Sequence, residues 1–178
     1  VTRAWMEYHA IHKKGKTFAY RWPFFFLIAS SFWNFLGAGV FGFVINLPII
    51  NYYEHGTYLT VNHGHTALFG VYGMMSLSLL LFAWRGLVEN KYWNDRLLKL
   101  TFWGFNVGLF LMSMLTLLPV GILQVKESFL HGTWSARSAE FYDGPVIQAL
   151  GKLRAIPDLI IILVGVVPLT VFLFRTYR

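Results

Sequence analysis

Long apolar segments alternate with short polar ones along this chain. Each apolar segment offers roughly 18 residues or more, which at about 1.5 Å per residue in a helix can cross a hydrocarbon core about 30 Å thick. Within such a core only helices or closed barrels satisfy the backbone hydrogen bonds. We therefore predict an all-α integral membrane protein with four transmembrane helices. The predicted spans cover residues 22–50, 58–84, 100–125 and 157–174.

The polar segments predict how the chain runs outside the membrane. Residues 1–21 are rich in lysine and arginine, and we predict that they form a basic approach segment. Residues 126–156 form a long connection, in which 146–153 place apolar side chains at helical spacing with basic residues on other faces. That pattern is typical of a helix lying on the membrane surface.

The distribution of basic residues orients the four spans. The segment before the first span, the loop after the second span and the C-terminus share one side, and they carry 11 of the 15 lysines and arginines. Because such residues accumulate on the cytoplasmic side of membrane proteins, we predict that this side is cytoplasmic. The connection 126–156 and the start of the second span then lie on the outer side.

The composition agrees with a membrane protein and narrows its chemistry. Hydrophobic residues make up 56% of the chain and charged residues 13%. The net charge is +7, but the basic residues lie beside apolar spans and not on a compact soluble surface, which argues against nucleic-acid binding. Without cysteine, the chain has no disulfide, no iron–sulfur ligand and no thiolate ligand for haem, so histidine is the main candidate ligand. The sequence starts at Val1 without a signal-peptide pattern, and we expect it to be a piece of a longer protein.

Two histidines at the start of the second span are the strongest candidate ligands. Between Tyr58 and Trp84 the only basic side chains are His63 and His65, and no acid occurs. An ionisable residue in a membrane span is a functional candidate. Residues i and i+2 of a helix point about 200° apart, which suits a helix placed between two cofactors, with Gly64 keeping bulk away from the backbone. On spacing alone, a polar pair at the membrane interface remains the alternative.

The first span carries a strip of small residues. Ala38 and Gly42 are four positions apart and therefore share a helix face, with Gly37 and Gly39 beside them. In membranes such strips favour close packing of helices. Room for a cofactor is the alternative, and we predict packing.

Four stretches of the chain closely resemble the C-terminal part of the large subunit of bacterial nitric oxide reductase. That subunit belongs to the haem-copper oxidase superfamily, so the resemblance implies the C-terminal part of a haem-copper oxidase-like helical bundle. The last stretch and the fourth span look more like the quinol-dependent, single-chain form than the cytochrome c-dependent form. The stretches are WNFLGAGVFGF at 33–43, NYYEHGT at 51–57, HGHTALFGVYG at 63–73 and WSARSAEF at 134–141.

The resemblance implies roles for four residues. His63 would be the proximal ligand of the high-spin haem at the catalytic site, and His65 an axial ligand of the low-spin haem, both haems being b-type. His55 would lie near the propionates of the high-spin haem, where calcium is a further expected cofactor, and the alternative is a solvated loop histidine. Asp158 matches an acid of the quinol pocket, and the alternative is simple stabilisation of a helix N-terminus.

The resemblance also implies what lies outside this chain. The non-haem iron of the active site needs three histidines and a glutamate from earlier helices, and the remainder of the same enzyme is therefore an expected partner. The reaction would reduce nitric oxide to nitrous oxide with electrons from a membrane quinol, in the bacterial cytoplasmic membrane, with the ligands toward the periplasmic side. Two alternatives are a nitric oxide dismutase-like relative without quinol oxidation and a haem-free transporter or anchor subunit that uses the histidines as a proton relay.

Overall fold

The chain folds into four long apolar helices joined by short connections. The computed structural model describes residues 18–177 together with Met6, His9 and Ala10, so most of the predicted approach segment lies outside the described residues. By length and composition each long helix can cross a membrane, and the described part of the chain contains no strand, which confirms the predicted fold class. The long helices are α1 (Arg21–Ile45), α3 (Tyr58–Leu87), α4 (Asp95–His131) and α6 (Pro145–Thr176); the short ones are α2 (Pro48–Glu54) and α5 (Ala139–Asp143).

Capping side chains fix where two of the long helices begin. The Thr57 side chain accepts a hydrogen bond from the Leu59 backbone N–H (3.2 Å) at the start of α3. The Asn94 side chain accepts from Arg96 and Leu97 at the start of α4. Threonine and asparagine are favoured at this position because they satisfy backbone N–H groups that the first helical turn leaves without partners.

Prolines set the helix bounds where these differ from the predicted spans. The first predicted span, 22–50, is divided because Leu47, the residue before Pro48, is held in an extended conformation, so α1 ends at Ile45 and α2 begins at Pro48. The predicted surface helix and fourth span lie instead on one helix, α6, with a single turn residue at Arg154. Because Pro157 has no N–H for the carbonyl four residues earlier, the helix is distorted at that point.

Each long helix also contains a π-helical stretch. Two of these stretches, Met112–Leu117 and Ile161–Val166, end two residues before Pro119 and Pro168. A proline ring displaces the carbonyl four residues before it, so a widened turn at that point is expected. The other two stretches, Asn34–Phe41 in α1 and Leu68–Gly73 in α3, flank the histidine pair in space and in sequence.

Polar contacts join the helix ends at one end of the bundle. The Asp95 carboxylate, at the start of α4, accepts from the Trp22 indole N–H (2.7 Å) and pairs with Arg21 at the start of α1 (2.5 Å). The indole of Trp84, near the end of α3, donates to Thr176 at the end of α6 (2.8 Å). The starts of α1 and α4 and the ends of α3 and α6 therefore lie together, as four successive membrane crossings require.

Candidate functional site

The His63 ring lies in the contact between α3 and α1. Its Nδ1 atom is 2.8 Å from the carbonyl oxygen of Gly37. A methyl group added at Gly42 would lie 2.9 Å from the His63 Cε1 atom, and one added at Gly37 would lie 2.6 Å from Thr66 Cβ. The small-residue strip of α1 therefore packs against α3, and two of its glycines, Gly42 and Gly37, admit the imidazole and the Thr66 side chain.

The His65 ring is held by its own helix. Its Nδ1 atom is 2.9 Å from the carbonyl oxygen of Val61, one turn earlier. A carbonyl oxygen only accepts hydrogen bonds, so the Nδ1 atoms of both His63 and His65 carry the proton and donate it. The Nε2 atoms then carry the lone pairs, and among the described residues neither has a hydrogen-bond partner.

This arrangement fits two separate haem irons. Metal-binding histidines commonly donate the N–H of one ring nitrogen to a carbonyl group and bind the metal through the other nitrogen. His63 and His65 both have this arrangement, and their i, i+2 spacing on α3 sets the two positions about 200° apart around the helix. A methyl group added at Gly64, between them, would meet no atom within 4 Å, so the backbone there is open to a large ligand. The described residues contain no group of three or more potential metal ligands, so each imidazole stands as a single ligand.

A buried amide holds the first turn of α3, the helix that carries His63 and His65. The Gln124 side chain is fully buried. Its Oε1 atom accepts from the Tyr58 backbone N–H (2.8 Å), and its Nε2 atom donates to the Ala136 carbonyl (3.1 Å) and the Tyr142 hydroxyl (2.9 Å). A single side chain of α4 thus joins α3 to the connection before α6. Sequence reasoning missed this residue, although an amide within an apolar, uncharged span was a detectable signal.

His55 lies in an exposed loop between α2 and α3. The Arg137 guanidinium donates to the His55 backbone carbonyl and to the Thr133 carbonyl, so it holds the loop from the outer connection. Gly56 next to it has a φ of 75°, a conformation that favours glycine. The backbone at His55 is therefore held next to the start of α3, eight residues before His63 in the sequence. Arg137 was named only within a resembling stretch and not as a site residue.

Glu54 is the buried acid of this loop. Its side chain is 1% exposed, and its Oε2 atom accepts from the Thr60 hydroxyl (3.0 Å). Burial raises the pKa of the Glu54 carboxyl above its usual range, while the bond from Thr60 and the nearby His55 and His63 oppose that rise. Glu54 thus lies close to His55 and His63. It belongs to the stretch 51–57, in which the sequence predicts no role for this acid.

Asp158 lies apart from the histidine pair, on α6. Its carboxylate is 3.6 Å from the Arg154 guanidinium, one turn earlier. Arg154 also lines a cavity of about 320 Å³ between α4 and α6, together with Tyr58 and Tyr142. The acid that was expected to form a quinol pocket therefore has a cationic partner that also lines an adjacent cavity.

Comparison with known proteins relates this chain to a protein family and to a characterised subunit. The model of the family described as "Cytochrome C and Quinol oxidase polypeptide I" matches residues 4–160. A subunit of nitric oxide reductase from Stutzerimonas stutzeri is 38% identical over 96 residues, which cover 51% of this chain and 20% of that protein. The match therefore spans about a fifth of the length of this relative.

Proposed function

The chain belongs to the Cytochrome C and Quinol oxidase polypeptide I family, the haem-copper oxidases, and from this membership we propose that it is part of a nitric oxide reductase. Members of the family are multi-pass membrane oxidoreductases that bind haem and metal, and the four apolar helices agree with this class. The partial identity with a nitric oxide reductase subunit favours nitric oxide as the substrate. Two molecules of nitric oxide, two electrons and two protons give one nitrous oxide and one water.

The observation that carries the proposal is the pair of imidazoles on α3. The His63 Nε2 atom would bind the iron of the active-site haem, and the His65 Nε2 atom would bind the iron of the low-spin haem. Two b-type haems bound in this way would supply the electron transfer and the nitric oxide binding site. The segment from His63 to His65 would therefore connect the low-spin haem, which transfers electrons, to the high-spin haem of the active site.

The chain's own residues hold these ligands in place. The hydrogen bonds from Nδ1 to the carbonyls of Gly37 and Val61 fix the orientation of each ring and make its Nε2 atom a more basic metal ligand. Because Gly37 belongs to α1, the position of the His63 ring depends on the packing of two helices. In a membrane the apolar spans around the pair would keep water away, which would strengthen the electrostatic interactions there.

The loop at His55 would contact the haem edge, and α6 would contact the electron donor. His55 would face a propionate carboxylate of the high-spin haem, where calcium is the expected additional cation. Asp158 would accept the hydroxyl proton of a quinol, and its neighbour Arg154, which lines a cavity, supports a ligand site there. The non-haem iron would be held by earlier helices of the same enzyme, and the ligands of this chain would lie toward the periplasmic side of the bacterial cytoplasmic membrane.

The proposal is tested by nitric oxide turnover of the full-length enzyme with quinol as donor. We expect His63→Ala and His65→Ala each to abolish turnover, while His131→Ala, at the exposed end of α4, keeps it. Nitrous oxide as the product supports the reductase, whereas oxygen release would support the dismutase-like alternative. Wild-type turnover by His63→Ala would contradict the proposal.

A further inference from the structure

A large open cavity lies at the end of the bundle where the helix ends are joined, far along α3 from the histidine pair. It measures about 970 Å³ and lies between the start of α4 and the end of α6. Three basic side chains line it: Lys91, Arg96 and Arg175. The proposed function gives no role to this cavity.

Nearby carboxylates neutralise only part of this positive charge. Lys91 pairs with Glu89 (2.8 Å), and the acid of the cavity, Asp95, is already paired with Arg21. In the part of the chain that the structure describes, neither Arg96 nor Arg175 has a carboxylate partner. Two guanidinium groups therefore line one cavity, and among the described residues no carboxylate forms an ion pair with either of them.

Besides the charged residues and Asn94, the cavity is lined by aromatic and apolar side chains. Tyr92 and Trp93 line it on the α4 side, and aromatic side chains of this type are enriched where a protein meets the membrane–water interface. Val171 and Phe174 line it on the α6 side, and Phe174 is 73% exposed. Because α6 ends at Thr176, the apolar wall lies below the guanidinium groups on the membrane side.

We propose that this cavity binds the headgroup of an anionic phospholipid. The Arg96 and Arg175 guanidinium groups would hold the phosphodiester through charge-assisted hydrogen bonds, and an acyl chain would lie along Phe174 and Val171. Basic pockets between membrane helices at the interface bind anionic lipids for this reason. A free phosphate would use the two arginines but not the apolar wall, and a covering protein segment would have to bring acids of its own.

Native mass spectrometry of the delipidated full-length enzyme tests the proposal, with phosphatidylglycerol and phosphatidylcholine as the probes. We expect the wild type to retain phosphatidylglycerol in preference to phosphatidylcholine. The double variant Arg96→Gln/Arg175→Gln is expected to lose that retention by at least about tenfold, since each basic residue near the surface contributes substantially to anionic lipid binding. The double variant Lys99→Gln/Lys126→Gln removes the same charge from two residues that do not line the cavity and is the matched control.

Three results would overturn the proposal. The first is equal retention of both lipids by the wild type. The second is an equal loss in the two double variants, because the effect would then follow total charge and not this cavity. The third is full displacement of phosphatidylglycerol by inorganic phosphate, which would assign the arginines to a free anion. Retention that persists in phosphate and depends on Arg96 and Arg175 supports the lipid site.

Discussion

At the level of single residues, two hydrogen bonds decide what the histidine pair can do. The Nδ1 atoms of His63 and His65 donate to carbonyl groups, and this assigns the lone pairs to the Nε2 atoms. The spacing of the pair was visible in the sequence. The acceptor of the His63 bond was not, because Gly37 lies 26 residues earlier and reaches the ring only when α1 packs on α3.

Gly42→Ala tests whether α1 sets the position of the His63 ring. The new methyl group would lie 2.9 Å from the His63 Cε1 atom, and the ring is held by its bond to Gly37. We expect a changed absorption of the high-spin haem in the full-length enzyme and a several-fold fall in nitric oxide turnover. Gly86→Ala, near the other end of α3, is the control, because its methyl group meets no atom of the chain within 4 Å and lies away from the histidine pair. Wild-type spectra from both variants would show that the ring position does not depend on Gly42.

The buried Glu54 predicts a particular dependence of stability on pH. Because burial raises the pKa of this carboxyl, the folded state favours its neutral form, and stability is lost as the pH rises through the raised pKa. We expect Glu54→Gln and the wild type to unfold at the same temperature at acidic pH, and the variant to unfold at a higher temperature at neutral pH. The exposed Glu140→Gln is the control. A variant less stable than the wild type at neutral pH would contradict this prediction.

At the level of helices, apolar length predicted four elements and their order, and the structure confirms that fold class. Their bounds were harder to predict, because hydropathy does not register a proline that interrupts an apolar run. Pro48 divides the first predicted span, and the predicted surface helix is followed by the fourth span with only a turn residue, Arg154, between them. The Gln124 contacts also lay beyond sequence reasoning, since its partner Tyr58 is 66 residues away.

Gly104→Ala tests the packing of α4 against α6. A methyl group at Gly104 would overlap the backbone of Val164 on α6, and backbone atoms cannot move aside as a flexible side chain can. We expect a loss of about 1 to 3 kcal/mol in the free energy of unfolding, the usual range for overpacking. Gly86→Ala, whose methyl group meets nothing within 4 Å, should leave stability nearly unchanged. Equal stability of the two variants in a denaturant titration would argue against this close contact.

At the level of the complete chain, two kinds of chemistry are separated along the bundle. The buried Glu54 and the loop at His55 lie near His63 at one end, while the basic cavity with Arg96 and Arg175 lies at the other. From the charge distribution and the apolar runs, the sequence predicted that one end of the bundle carries most of the lysines and arginines and that the histidine pair lies toward the other end. It could not predict that one cavity would gather two arginines that lack a carboxylate partner among the described residues, because they come from two helices far apart in the sequence.

The proposed chemistry depends on one helix that lies between two haems and supplies one ligand to each. Reduced-minus-oxidised optical spectra of the full-length membrane enzyme examine this arrangement, with the wild type beside His63→Ala and His65→Ala. We expect His65→Ala to remove the low-spin haem signal, and His63→Ala to change only the high-spin signal that responds to added ligands. If both variants keep both haem signals, the two histidines are not the haem ligands and the proposed arrangement is wrong.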